Sequence, residues 1–238
     1  FNGKHFQVPF PFTGIKNWPT IDISREYGAD GEVDDEGLVR KIGVVPAPVT
    51  QPHPKIWLPF SLSPQTLSMA ASNGMNMLLL ASQPDQVRDF CERYRDEAVA
   101  AGRYVGLGEG VCAVRQIAIG DTFEEAFDSA VRSAGWDFYS YFQKFGFMEA
   151  WRTENDDPNK PVHVKNEREA AQRLLDAGAL ICGTPDDVKR QLEKEETCYG
   201  DGHLESVSWQ FYHQGNTSID EQRRQLDLFG TKVMPAFQ

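Results

Sequence analysis

The sequence predicts an α/β fold, with a parallel sheet covered by helices, and three observations carry that expectation. Compact apolar runs recur at Ile56–Phe60, Met75–Ala81, Gly110–Ile119 and Leu204–Tyr212. The first, Ile56–Phe60, does not alternate with polar residues, as expected of a strand buried on both faces. Each is followed within a few residues by a helix start: Ser63-Pro64, Ser82-Gln-Pro84-Asp85, Thr122-x-x-Glu125 and Ser218-x-x-Glu221. A strand that feeds a helix before the next strand makes a right-handed parallel crossover rather than a hairpin.

Before the first unit, residues 1–55 are rich in proline, glycine and charge. Proline blocks helix and pushes its predecessor to extended backbone, so an extended arm and a surface excursion are expected, with a short strand at Lys41–Val45. Asp30, Glu32, Asp34, Asp35 and Glu36 lack the EF-hand spacing and read as a solvated loop. The opening FNGKHFQV reads as mid-domain, so the chain is expected to be a piece of a longer one.

The four units fill residues 56–238. Ser63 caps the first helix and Pro64 suits its first position, where a missing N–H costs nothing. Leu67, Ala70 and Ala71 then give that helix a face for the sheet. Free N–H groups beside the Ser63 and Thr66 hydroxyls make either a plain cap or an anion site, and both readings stay open. The second helix runs to about Gly102. Thr122-x-x-Glu125 and Ser218-x-x-Glu221 are capping boxes, the latter opening a helix to about Met234. Helical patterns also cover Ala134–Trp151, Asn166–Ala177 and Thr184–Lys194. Between the first two, the polar stretch RTENDDPNKPVH (Arg152–His163) breaks the pattern and is expected to be a mobile excursion, ending by residue 165. The aromatics of FYSYFQKFGF (Phe138–Phe147) suit a core or a subunit face. Four units do not close an eight-stranded barrel by themselves.

At 238 residues the chain can be one large domain, and 40% hydrophobic residues suffice for a core. A net charge of −11 argues against nucleic acid. No apolar run reaches the length of a bilayer span, so no membrane contact is expected. Cys91, Cys112, Cys182 and Cys198 show no metal spacing and read as reduced thiols of a cytoplasmic protein. The five histidines form no metal pattern either.

Several stretches resemble the luciferase-like flavin monooxygenases. VVPAPVTQPHPKIWLPFSLSPQTLSMAASNG is similar to that family's Pro-rich lead-in, barrel strand, Ser-containing turn and AA-x-x-G helix. CGTPDDVKRQL resembles its G-T-P-E-E-V helix start, and SIDEQRRQLDLFGTKVMPAF its closing helix. The resemblance implies a (β/α)8 TIM barrel, of which this chain supplies strands five to eight and their helices. FNGKHF then matches the stretch after the fourth helix, leaving the N-terminal half-barrel outside the chain. It further implies reduced FMN supplied by a separate flavin reductase, O2, a small organic substrate oxygenated through a flavin hydroperoxide, and a homo-oligomer, a dimer. Relatives that transfer hydride with a deazaflavin, and non-catalytic flavin-binding relatives, remain alternatives.

By the same resemblance Ser63 and Thr66 hold the flavin phosphate, although Leu62 stands where luciferases carry an acid. Gln116 occupies the place of an active-site His of alkanesulfonate monooxygenases, where an amide can orient a ligand but not transfer protons. Its neighbour Arg115 is expected to point outward into a salt bridge. Trp151 matches a flavin-facing Trp. Trp209 and Tyr212 are candidate substrate contacts, with core packing the alternative for Trp209. His213 is the candidate acid–base group, against an idle loop His. The Arg152–His163 excursion would act as a lid.

Overall fold

The computed structural model describes residues 4, 13–43, 48–51, 53–60, 63–198, 206–210 and 216–237. The chain divides into two units, Phe1–Pro54 and Lys55–Gln238.

The first unit holds a short helix, α1 (Ile21–Tyr27), where extended chain was expected. Single antiparallel bridges join Ile15 and Val33 to Val39. Asp34 organises the loop between them: its carboxylate accepts from the Leu38 and Glu36 amides at 2.8 and 3.0 Å and pairs with Arg40 at 2.5 Å. The acidic run is thus a hydrogen-bonded turn. Lys41–Gly43 carry no strand, and the rest of that expected strand lies outside the described residues.

The second unit is built on five parallel strands: β1 (Trp57–Phe60), β2 (Asn76–Leu79), β3 (Val111–Ile119), β4 (Leu180–Gly183) and β5 (Ser206–Trp209). β3 is the hub. Its first residues pair with β2, from Met77↔Val111 to Leu79↔Ala113. Cys112–Arg115 pair with Ser206–Trp209 of β5, and Gln116–Ile119 pair with β4. Eight of its nine residues are buried, which explains a run that is apolar except at Arg115 and Gln116. β1 pairs only with β2 among the described residues, and Pro59 suits that edge position. The opening Leu204 and the end at Tyr212 of the last expected strand lie outside the described residues.

β4 lies between the expected helices Asn166–Ala177 and Thr184–Lys194, where the sequence pattern predicts no strand. Gly183 closes it at φ 138°, where an added Cβ would lie 2.6 Å from the Cβ of Asp187. That tight turn feeds α7 (Pro185–Cys198), and Thr184 and Asp187 cap it reciprocally.

Helices cover the sheet as expected. α2 (Pro64–Ser72) and α3 (Pro84–Ala100) bury Leu67, Ala70, Ala71, Val87, Phe90 and Tyr94 with Met77 and Leu79 of β2. α4 (Phe123–Ala130) starts at the Thr122 box, where Glu125 reaches back to the Asp121 amide. It runs through a π turn at Val131–Gly135 into α5 (Trp136–Ser140). There an added Cβ on Gly135 would meet the Glu167 carbonyl at 2.3 Å, so glycine permits the approach of α6 (Glu167–Asp176). The expected helix over Ala134–Trp151 breaks after Ser140 into two 3-10 turns, Phe142–Phe145 and Phe147–Trp151, separated by Gly146 at φ 77°. α8 (Ile219–Leu228) starts at the Ser218 box and ends in a further π turn. Cys91, Cys112 and Cys182 are buried and form no disulfide, and burial pushes the Cys182 thiol up to about 12. No described helix is long and apolar enough to cross a membrane.

Candidate functional site

A cavity of about 400 Å³ opens beside the middle of β3. Val114 and Gln116 form its floor, because alternate residues of a strand share a face. Arg115, between them, faces the helices. Its salt bridge forms as expected but is not outward: the guanidinium is fully buried against Glu195 of α7. Its charge-assisted bonds include one to the Val114 carbonyl at 2.8 Å.

The walls are aromatic. Phe138 of α5 contacts Phe142 at 4.9 Å and Trp151 edge-on at 5.2 Å between ring centroids, and Phe142 contacts Phe147 at 5.3 Å. The break of the helix into 3-10 turns is what folds this aromatic run back on itself. Trp151 is held rigidly. Its indole N–H donates to Ser82 Oγ at 3.2 Å, and the Ser82 hydroxyl donates to the Ala177 carbonyl at 2.7 Å. Ser82 therefore serves Trp151 and α6, and α3 starts without a side-chain cap.

The polar groups of the cavity are few. Gln116 Nε2 donates to Gln210 Oε1 at 2.6 Å, joining β3 to the residue that follows β5. Glu149 lines the opposite side. The Val162 amide bonds its carboxylate at 2.7 Å and Arg152 pairs with it at 2.8 Å, and the first of these most strongly holds its pKa below the usual range.

The segment after Trp151 is pinned, which corrects the expectation of a mobile lid. Arg173 of α6 grips Asp156 with two bonds, at 2.6 and 2.9 Å, and Arg152 donates to the Asp157 and Lys160 carbonyls. Val162 and Val164 are buried in the core beside Trp151. Those bonds, first of all the Arg173 hydrogen bond, hold the Asp156 carboxyl far below its ordinary value.

Of the expected site residues, the cavity brings together Gln116 and Trp151. Trp209 packs in the core, 5.2 Å from Phe229, with its indole N–H donating to the Ile117 carbonyl at 2.9 Å. Tyr212 and His213 lie outside the described residues, as does Leu62. Ser63 and Thr66 do not line the cavity but stand at the same end of the sheet. Phe60, Leu79 and Ala113 share one level of the ladder, and Ser63 and Gln116 each follow three residues later. Ser63 Oγ accepts from the Thr66 amide at 3.4 Å, a long bond. Among the described α-helices α2 alone has no acid in its first turn.

Sequence reasoning missed Gln210 and the aromatic wall. Gln210 had a usable signal, since it alternates with the core residue Trp209. No cluster of metal-ligating residues occurs among the described residues.

No curated protein sequence matches the chain. Among solved structures it is similar to the monooxygenase RslO1 from Streptomyces bottropensis, with TM-score 0.60 and 20% identity over 85% of this chain and 53% of that one. It is also similar to the oxygenating constituent of 3,6-diketocamphane monooxygenase from the CAM plasmid of Pseudomonas putida, a type II Baeyer–Villiger monooxygenase in complex with FMN. That match has TM-score 0.60 and 18% identity, over 77% of this chain and 49% of that one. An F420-dependent secondary alcohol dehydrogenase matches with TM-score 0.50 and 10% identity, over 92% and 60%. The chain thus spans about half the length of the first structures it matches. The family model for luciferase-like monooxygenases matches residues 20–201, most of the sequence, and the chain therefore belongs to the luciferase-like monooxygenase family.

Proposed function

We propose that the protein is a flavin-dependent monooxygenase acting on a small organic substrate, with reduced FMN delivered by a separate flavin reductase. One observation supports this reading above the others: an acid-free helix start at Ser63 and an aromatic-walled cavity at Gln116 belong to the same end of one parallel sheet. Ligands of α/β sheets bind outside the carboxyl ends of the strands. β1 and β3 are two strands apart, about 10 Å at the usual spacing, so one extended ligand can reach from α2 to the cavity.

The residues suit FMN. The first turn of α2 offers backbone N–H groups, the positive end of the helix dipole and two hydroxyls, with no carboxylate to repel a phosphate. Ser63 and Thr66 would hold that phosphate. Reduced FMN, when bound, supplies two electrons to O2, so that one oxygen atom enters the substrate and the other leaves as water. Trp151 and its aromatic neighbours exclude water from the reacting centre. Gln116 orients substrate through its amide, and His213, outside the described residues, would be the acid–base group. The pinned Arg152–His163 segment acts as a fixed buttress behind Glu149 and Trp151. In this reading β1, β2, β3 and β5 are strands five to eight of a TIM barrel whose first half lies outside this chain, a view supported by the half-length match to RslO1.

The test is oxygen bookkeeping with reductase-supplied reduced FMN and 18O2. The expected result is O2 uptake coupled to a product carrying one 18O atom. Hydride transfer from a reduced deazaflavin without O2 uptake would select the dehydrogenase alternative. Flavin binding with neither reaction would select a flavin-binding role.

A further inference from the structure

We propose that the cavity at Gln116 takes an uncharged ring compound bearing a single hydrogen-bonding oxygen, a ketone or hydroxyl, and rejects organic anions. Calling this ligand the substrate rests on the monooxygenase reading; the binding preference itself does not.

Five aromatic rings and the aliphatic side chains of Leu80, Val114 and Leu174 make most of the surface apolar. Four of the rings, Phe138, Phe142, Phe147 and Trp151, hold one another by edge and tilted contacts of 4.9 to 5.3 Å, so most of the wall is shaped before a ligand arrives and suits flat or compact ring faces. At about 400 Å³ the space is near the small end of ligand pockets, which run from about 300 to 1,000 Å³. One or two rings fit that volume better than a long chain.

Among the described residues that line it there is no Lys, Arg or His. A sulfonate or carboxylate entering the cavity would lose its water with no cation to replace it. A cationic ligand fares no better, because both Glu149 oxygens are engaged, one by the Val162 amide and one by Arg152.

The amide pair is the remaining polar feature. An amide carries two protons and a carbonyl, and the 2.6 Å bond between Gln116 and Gln210 uses one proton of the first and the carbonyl of the second. The pair therefore still presents donors and an acceptor to a ligand oxygen. Both residues are anchored: the Gln116 amide N–H donates to the Ala179 carbonyl, and that of Gln210 to the Arg115 carbonyl. A site built to hydrogen-bond an oxygen discriminates against an analogue lacking it.

Calorimetric titration of the flavin-free protein with three probes of one carbon framework tests the proposal: 2-tetralone, naphthalene and naphthalene-2-sulfonate. The ketone is expected to bind at least tenfold more tightly than the sulfonate. The Gln116→Leu, Gln210→Leu double variant is expected to lose about tenfold for 2-tetralone and to leave naphthalene unchanged. Sulfonate binding as tight as ketone binding to the unmodified protein would overturn the proposal without recourse to any variant. So would equal weakening of naphthalene and 2-tetralone in the double variant, or no binding of either to folded protein. Because flavin is absent, ketone preference with failed 18O incorporation would leave this inference standing and remove the monooxygenase reading, and the reverse pair of results would do the opposite.

Discussion

Asp137 lies one residue before the cavity residue Phe138, and neither of its carboxylate oxygens has a hydrogen-bond partner among the described residues. Burial alone raises its pKa from 3.8 to about 6. Between those values the folded protein holds a proton that the unfolded chain has released, so this group's contribution to stability falls as pH rises through that window. Below it both states are protonated, and above it the full cost of burying the charge remains. Asp137→Asn is therefore expected to stabilise the protein at pH 7 by about 1–2 kcal/mol, allowing for solvent screening, and to be nearly neutral at pH 4. Thermal melts of both proteins across pH 4–7 check this, and a constant difference between them would contradict it. At this scale the sequence was legible where alternation governs. Gln116 and Arg115 do face opposite sides of β3. The depth of Arg115 was not legible, because it depends on Glu195, 80 residues away.

The elements announce themselves through their caps. The Ser63, Thr122 and Ser218 starts sit where the hydroxyl spacing put them, since capping is a contact within four residues. Where structure depends on distant partners, local pattern fails. β4 has four residues and exists because β3 offers Gln116–Ile119 to pair with. The Arg152–His163 segment looks loose in composition and is fixed by Arg173 from another helix. The aromatic run reads as one helix but breaks after Ser140. The turn from β4 to α7 gives a sharp prediction. Gly183→Ala must adopt φ near 138° and crowd Asp187, which caps α7 through Thr184. A loss of about 1–3 kcal/mol in denaturant unfolding is expected from the combined strain and weakened cap. An unchanged midpoint would show that the turn relaxes freely.

For the whole molecule, the parallel α/β architecture and family membership follow from strand–helix order, which a chain of this composition expresses plainly. The cavity was less legible because five separated stretches build it: the end of β2 and start of α3, β3, the aromatic turns, the end of α6 with Ala179, and the residue after β5. Such convergence is invisible to spacing along the chain. In the proposed flavoenzyme, two features at one end of the sheet, an acid-free helix start and an aromatic-walled cavity, form a single site. The central claim is that Ser63 and Thr66 grip the cofactor's phosphate. Equilibrium binding of reduced FMN and of reduced riboflavin, identical but for that phosphate, measures this directly in the protein and in its Ser63→Ala, Thr66→Ala variant. The account predicts that FMN binds at least tenfold more tightly than riboflavin, and that the variant abolishes this preference while leaving riboflavin binding unchanged. Equal affinity for the two flavins, or a preference that survives the double substitution, would contradict it.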